Sequence, residues 1–304
     1  MQSKISVVVL CYNGVQLTLG CLESILKQDY GNVEVVLVDN GSTDGTISLV
    51  TEKFPQARWV QNHQNLGYAM GNNKGIEYAL ASEAEAVFLV NNDTRLHETC
   101  ISNLVKSLKA DPKIGVIGPM VYTWDGNKTI SSAGGMVNWR MAYAANVGMG
   151  EKDAGQYQGR YVDFINGCGI LVSREAIKRT GGLDPTFFMY WEETDWCLRV
   201  KKSGFEVYFE PAGEMEHKAP IVSTELGPTT LYYMTRNRFL FFYRHSPASI
   251  KPISLARALK GTLKGILENR KADKAAHAKA MQLALLHAVS GRWGYLDPKI
   301  WTAG

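Results

Sequence analysis

No apolar run in this 304-residue chain is long enough to cross a bilayer, so any contact with a membrane must be peripheral. The opening residues, MQSKISVVVLCYNG, hold only a strand's length of apolar side chains before Asn-Gly, which reads as neither signal peptide nor membrane span. Cysteine is sparse: Cys11, Cys21, Cys100, Cys168 and Cys197 are odd in number, widely spaced and free of C-x-x-C pairs. That pattern points to reduced thiols in a cytosolic protein rather than to a disulfide framework. The net charge of +4 is too small to argue for a nucleic-acid partner. No G-x-G-x-x-G follows the first strand-like run, which argues against a dinucleotide-binding domain. Its CYNGVQ also lacks the Gly-rich triphosphate loop with a nearby cation that a nucleotidyltransferase would want.

What is present is ordinary globular material, with 45% hydrophobic and 20% charged residues and a length that suits one large domain or one with an appendage. ISVVVL (5–10), VEVVLVD (33–39), RWVQ (58–61), AVFLV (86–90) and IGVIGP (114–119) read as strands. Helical spacing lies between them, at Leu22, Ile25 and Leu26, at Ile47, Val50 and Phe54, in GNNKGIEYALAS, and at Ile101, Leu104, Val105 and Leu108. This alternation predicts an α/β fold, a mostly parallel sheet with helices on both faces. Residues 122–160 loosen into Gly, Ser, Asn and aromatics and are expected to form a β-rich insertion over the cleft. A strand, a helix, an acidic cluster opening another helix and a closing strand follow, and the tail from about Ile221 reads as helical.

In such sheets ligands bind outside the carboxyl ends of the strands. CYNG, DNGSTDG, NHQNLGYAMGNN and NNDT all fall there, each crowded with Asn, Asp, Gly or Ser. Any one could be a plain turn, since these residues hydrogen-bond their own backbone. Four converging on one edge point to a site. Asn91, Asn92 and Asp93 are then either turn formers or part of a place for a metal and a phosphate.

The segments VVVLCYNG, VVLVDNGSTDGT, NLGYAMGNNKGI, FLVNNDT, NGCGILVSREAI, GGLDPTFFMYWEETDWCLRVKKSGFEVYF and EHK resemble the family 2 inverting glycosyltransferases of the GT-A fold. The likeness is greatest to the branch of bacterial rhamnosyltransferases and galactofuranosyltransferases, and it runs in order from about residue 5 to 245. The resemblance implies a catalytic domain over residues 1–220, with 221–304 as a helical, basic amphipathic extension. It implies a nucleotide-diphospho sugar lying across the strand ends. Asp39 would hydrogen-bond the base, Tyr12 and Asn13 would wall base and ribose, and Asn65, Gly67 and Asn72 would lie near the nucleotide. NND stands where the family has D-x-D. Asp93 would be the carboxylate ligand of Mg2+ or Mn2+, and His217 a further ligand. Asn91 departs from the acidic pattern and would reach ribose or a bound water, with Asn92 beside it at the nucleotide sugar. A histidine taken alone is more often structural.

WEETDW holds Glu192, Glu193 and Asp195. Carboxylates on a first helical turn are favoured by the helix dipole whatever their role. The resemblance assigns the catalytic base to Glu193, with Glu192 the alternative, because this sequence has Glu-Glu where many relatives have Glu-Asp or Asp-Asp. Asp195 would orient the helix or touch the acceptor. NGCG, with Gly167 and Cys168, would line the sugar pocket or be a tight strand connection. Trp191 and Trp196 offer faces for a pyranose, at least one of them being expected in the core. Arg236 and Arg238 would meet a diphosphate or lipid phosphate, or lie on a solvated helix face.

The tail carries Ile253, Leu255, Leu259, Leu263, Ile266 and Leu267 as an apolar stripe among Lys251, Arg257, Lys260, Lys264, Arg270 and Lys271. This suits a helix on an anionic membrane surface, or one packed on the catalytic domain or on a second subunit in a homodimer. The expected function is metal-dependent transfer of a sugar, dTDP-rhamnose leading and UDP-galactofuranose or a UDP-hexose behind it, to a cell-surface glycan or lipid-linked saccharide. The expected place is the cytoplasm, peripheral to the inner face of the membrane. A glycan-binding or scaffolding subunit without turnover is the competing class.

Overall fold

The β-branched runs become strands, and period-two alternation divides each between two apolar layers. In the computed structural model, which describes residues 2–218 and 226–301, β1 (Ile5–Cys11) lies parallel to β2 (Val33–Asp39). Helices α1 (Val15–Leu26) and α2 (Thr46–Lys53) flank β2 in sequence, and β3 (Arg58–Gln61), α3 (Gly67–Ala81) and β4 (Ala86–Asn91) follow. Val8, Val36 and Val38 face Ala69, Ile76 and Ala79 of α3. Val7, Val9 and Leu37 face the other way, toward Leu19, Leu22 and Val50 of α1 and α2. Glycines make the first approach close: a Cβ on Gly75 would meet Val8 at 2.2 Å.

The second half adds β5 (Thr94–Leu96), α4 (Cys100–Ala110), β6 (Ile114–Thr123), β7 (Ile130–Ser132), β8 (Gly135–Asn138), β9 (Tyr143–Asn146), β10 (Arg160–Tyr161) and β11 (Gly169–Ser173). Then come α5 (Arg174–Thr180), α6 (Glu192–Lys202), β12 (Glu206–His217), α7 (Pro228–His245), α8 (Lys251–Lys271) and α9 (Ala275–Ser290). The sheet runs β10-β12-β6-β11-β4-β1-β2-β3. It is mixed but mostly parallel, with β11 antiparallel between β4 and β6. The insertion over the cleft is the β8–β9 hairpin with β7 and β10 beside it.

The end of β6 differs from the sequence reading. β6 continues four residues beyond the expected end at Pro119, because Met120–Thr123 pair with the second half of β12. That half exists because β12 is interrupted between Glu210 and Glu214 and then resumes to His217. The division expected near residue 220 lies outside the described residues. Beyond it, α7, α8 and α9 pack together, and Leu240, Phe241 and Phe242 of α7 join the main core. The α8 stripe also divides: Ile266 is buried, whereas Ile253, Leu259, Leu263 and Leu267 are exposed.

Candidate active site

The four loops do meet at the strand ends, and much of their polarity is spent on each other. Asn13, held at φ 62°, accepts from the Thr43 amide through its side chain, and its own amide donates to Ser42 Oγ. Asn92 donates to Asn13 O and to Thr18 Oγ1 at 2.9 Å, tying the end of β4 to the first loop. Asp39 is fully buried and accepts from the Gly41 and Ser42 amides, so it shapes the DNGS turn. Asn65 accepts from Asn40 and from the Gly67 amide. Gly67 has φ 77°, and a Cβ there would stand 2.5 Å from Phe188 O, so what comes close to this glycine is protein backbone. Asn72 is buried, and its Oδ1 has no hydrogen-bond partner. Tyr12 is half exposed and, with Asn65, Gln64, Met70 and Phe188, lines a cavity of about 510 Å³.

The register of β12 explains how two candidate ligands far apart in sequence become neighbours. His217 pairs with Thr94 of β5, and the Lys218 amide donates to Asp93 O. His217 Nε2 therefore lies 3.2 Å from Asp93 Oδ1. Burial opposes a charged imidazole, but Cys168 and Asp93 beside it outweigh burial and raise it to about 10. Burial likewise opposes the Asp93 charge, and the His217 partner still holds that carboxyl below its usual range. Asp93 Oδ1 and His217 Nε2 are an oxygen and a nitrogen donor of the kinds that Mg2+ or Mn2+ would accept. Among the described residues no cluster of three or more His, Cys, Asp or Glu is arranged around a metal. The donor set thus fits a cation that takes its other ligands from a diphosphate and water, and binding it would displace a proton.

Beside this pair is a cavity of about 340 Å³ lined by Tyr68, Asn91, Gly167, Cys168, Glu192, Glu193 and His217, among others. A second cavity, about 330 Å³, is walled by Ala144, Ala145 and Asn146 of β9, by Trp191 and by Met234 of α7. Asn166, Tyr190 and Glu193 belong to both, so Glu193 stands on the partition. Burial, reinforced by the charge of Glu193, pushes Glu192 well above the usual carboxylate range, and its Oε2 has no hydrogen-bond partner. Burial also raises Glu193.

The approach to these acids is strained. Phe188, Tyr190 and Trp191 have φ of 67°, 67° and 78°, a region costing non-glycine residues about 1–3 kcal/mol each. Helix α7 holds them. Asn237 Nδ2 donates to Phe187 O, Met189 O and Tyr190 O at 2.8–2.9 Å, and Arg236 donates to Phe187 O and Gly294 O. Arg236 is 1% exposed and Arg238 donates to Ala258 O and Thr262 Oγ1 of α8, so neither lies on a solvated helix face. Neither lines the two cavities. Asp195 is buried between Arg199 Nε and His245 Nε2, both at 2.7 Å. Trp196 is the core member of its pair, donating to Gly181 O. Trp191 packs on Phe241 and Phe242 and keeps a partly open face.

The sequence reading did not single out Tyr68, Asn166, Tyr190 or Asn237. Tyr68 is partly buried beside the acids and donates to Gly167 O. Tyr68 and Asn166 stand inside the quoted NLGYAMGNN and NGCG segments, but Tyr68 bonds Gly167, 99 residues away, and only the fold places Asn166 on both cavities.

Residues 6–181, more than half of the chain, match the family described as Glycosyl transferase family 2. The chain belongs to that family. A Mycobacterium tuberculosis protein named N-acetylglucosaminyl-diphospho-decaprenol L-rhamnosyltransferase is 29% identical over 213 residues, 62% of this chain and 67% of that one. The dTDP-rhamnosyl transferase RfbF of Shigella flexneri is 26% identical over 306 residues, covering 97% and 98% of the two chains. Among solved structures, a mannosyltransferase from Pyrobaculum calidifontis in complex with GDP-Man and Mn2+ matches with a TM-score of 0.61 at 18% identity. That match covers 96% of this chain and 88% of the other, and shows a shared fold. As a family 2 glycosyltransferase, this protein is an enzyme that uses a nucleotide sugar.

Proposed function

We propose that the protein inverts the anomeric centre of a nucleotide-diphospho sugar, with dTDP-rhamnose the leading donor, while transferring the sugar to a lipid-linked saccharide or cell-surface glycan. One observation carries this reading: Glu193 stands on the wall between two cavities, one beside Asp93 and His217 and the other under the β8–β9 insertion. The first cavity takes the donor sugar and the second the acceptor. An acceptor hydroxyl attacks the anomeric carbon from the face opposite the diphosphate. Glu193 takes the hydroxyl proton, the new bond joins acceptor oxygen to C1, and the bond from C1 to the phosphate oxygen breaks. A raised carboxylate is the stronger base for this task. Mg2+ or Mn2+ held by Asp93 and His217 would supply charge to stabilise the departing diphosphate.

Residues 1–220 serve in this reading as the catalytic domain and 221–304 as its extension. The relative named for a diphospho-decaprenol substrate favours a lipid-linked acceptor. No helix among the described residues is long and apolar enough to cross one. The test is donor consumption across dTDP-rhamnose, UDP-galactofuranose and UDP-hexoses with Mn2+, Mg2+ or EDTA, in wild type and Glu193→Gln. Nucleotide binding is read on the same samples. Release of dTDP from dTDP-rhamnose alone, lost with EDTA and in the variant, is the expected result. Release from a UDP-sugar instead moves the donor assignment, and turnover that survives Glu193→Gln overturns the assigned base.

A further inference from the structure

Helix α8 has two faces of different character. Ser254, Ala258, Thr262 and Ile266, four apart, are buried where α8 meets α7 and α9. Ile253, Leu259, Leu263 and Leu267 are exposed, Leu267 to 56%. Helix α9 adds Leu286 at 60% and Val289 at 82%, and α7 adds Tyr243. Two grooves run through this apolar face. One, about 490 Å³, lies among Tyr243, Leu259, Val289 and Trp293, and the other, about 630 Å³, among Leu263, Leu267, Leu286 and Val289. They share Leu285 and Val289 and so join. Contiguous exposed apolar surface of this kind marks an interaction site.

The rim decides what fits. Beside the leucines α8 carries Arg257, Lys260, Lys264, Arg270 and Lys271 against one carboxylate, Glu268, which lies 3.5 Å from Lys264. Helices α7 and α9 contain no Asp or Glu. Two copies placed face to face would set these cations against each other. A bilayer with anionic lipid meets both features, the leucines entering the acyl boundary and the cations reaching the phosphates.

We propose that the exposed face of α7, α8 and α9 docks this enzyme on an anionic phospholipid bilayer. The expected benefit to catalysis rests on the acceptor reading above; the docking does not. Ser254 of α8 donates to Trp139 O in the turn between β8 and β9, and Trp139 stacks on Phe241 with centroids 6.0 Å apart. Strand β9 walls the cavity beside Glu193. A docked α8 therefore holds that wall near the headgroups, where a lipid-linked saccharide would be presented.

The test is flotation of the full chain with vesicles of phosphatidylcholine, alone or with phosphatidylglycerol, without donor or acceptor. Wild type should float with phosphatidylglycerol and lose binding as salt rises. Lys260→Glu or Arg257→Glu should weaken it by roughly fivefold or more per site. Leu263→Gln with Leu286→Gln should abolish it while circular dichroism and nucleotide binding stay as in wild type. Absence of wild-type binding to anionic vesicles, or binding indifferent to both sets of variants, overturns the proposal. So does a concentration-dependent dimer that the leucine variants dissociate, in a protein that ignores vesicles. None of these readouts requires turnover, so failure of the transferase reading would be seen separately.

Discussion

Glu192 and Glu193 are adjacent, yet their surroundings differ. Burial raises both carboxyls, but Glu192 is buried with one oxygen unpartnered, whereas Glu193 lines both cavities. Glu193→Gln should lower kcat by on the order of 10²–10⁴-fold with nucleotide affinity unchanged, as read by steady-state kinetics and calorimetry. In wild type the acid limb of kcat/KM should fall above the ordinary glutamate value of 4.5, because burial raises Glu193. Stability follows the same sign. The folded chain keeps the Glu192 proton to higher pH than the unfolded chain, so this residue's contribution is complete below pH 4.5 and is lost as pH rises. Glu192→Gln should therefore raise Tm at pH 7–8 and have little effect near pH 4, a difference that scanning calorimetry at several pH values measures.

At the scale of elements, α7 supports α6. The two N–H groups of Asn237 Nδ2 face three carbonyls of the strained segment that leads into the acids, sharing Phe187 O with Arg236. Asn237→Ala should cost about 1–3 kcal/mol of stability. It should also lower kcat roughly tenfold to a hundredfold by loosening the approach to Glu193, with a smaller change in donor affinity. A kcat that falls only in proportion to the folded fraction would reduce Asn237 to scaffolding. Asp195 joins the two helices through Arg199 and His245. Burial opposes its charge, but His245 and Arg199 hold the carboxyl below its usual value. Its contribution is thus present above the ordinary Asp range and is lost on acidification through the lowered value. Asp195→Asn should cost about 3 kcal/mol at pH 7, and the gap in Tm should close toward pH 3.

Across the whole molecule, the Asp93–His217 pair joins the end of β4 to the end of β12. In the proposed reading, a cation held by these two protein donors would take its remaining ligands from the nucleotide. Asp93→Asn or His217→Ala should weaken diphosphate-nucleotide binding in Mn2+ by roughly tenfold or more, and should leave binding in EDTA close to wild type. Titration calorimetry with and without metal separates the two. An equal loss in both conditions would assign the pair to direct nucleotide contact.

The strand-like runs along the chain, the loops at their carboxyl ends and the acidic opening of α6 were legible because each depends on neighbours in sequence: β-branched runs, Asn-Gly turns, helical spacing. Asn40 shows where such reading stops. It was one letter in DNGS, yet it bonds Asn62, Asn65, Leu66 and Gly67 and organises two loops. Arg236 was legible as a cation, but only packing turned its guanidinium inward onto carbonyls. The tail's leucines and lysines gave an amphipathic period, and only the packing of α8 on α7 and α9 decided which leucines stay exposed. Local chemistry along the chain determined the elements and the kinds of group at their ends. Contacts between residues tens to hundreds of positions apart decided which groups meet, because burial and unpartnered polar atoms are properties of the packed chain.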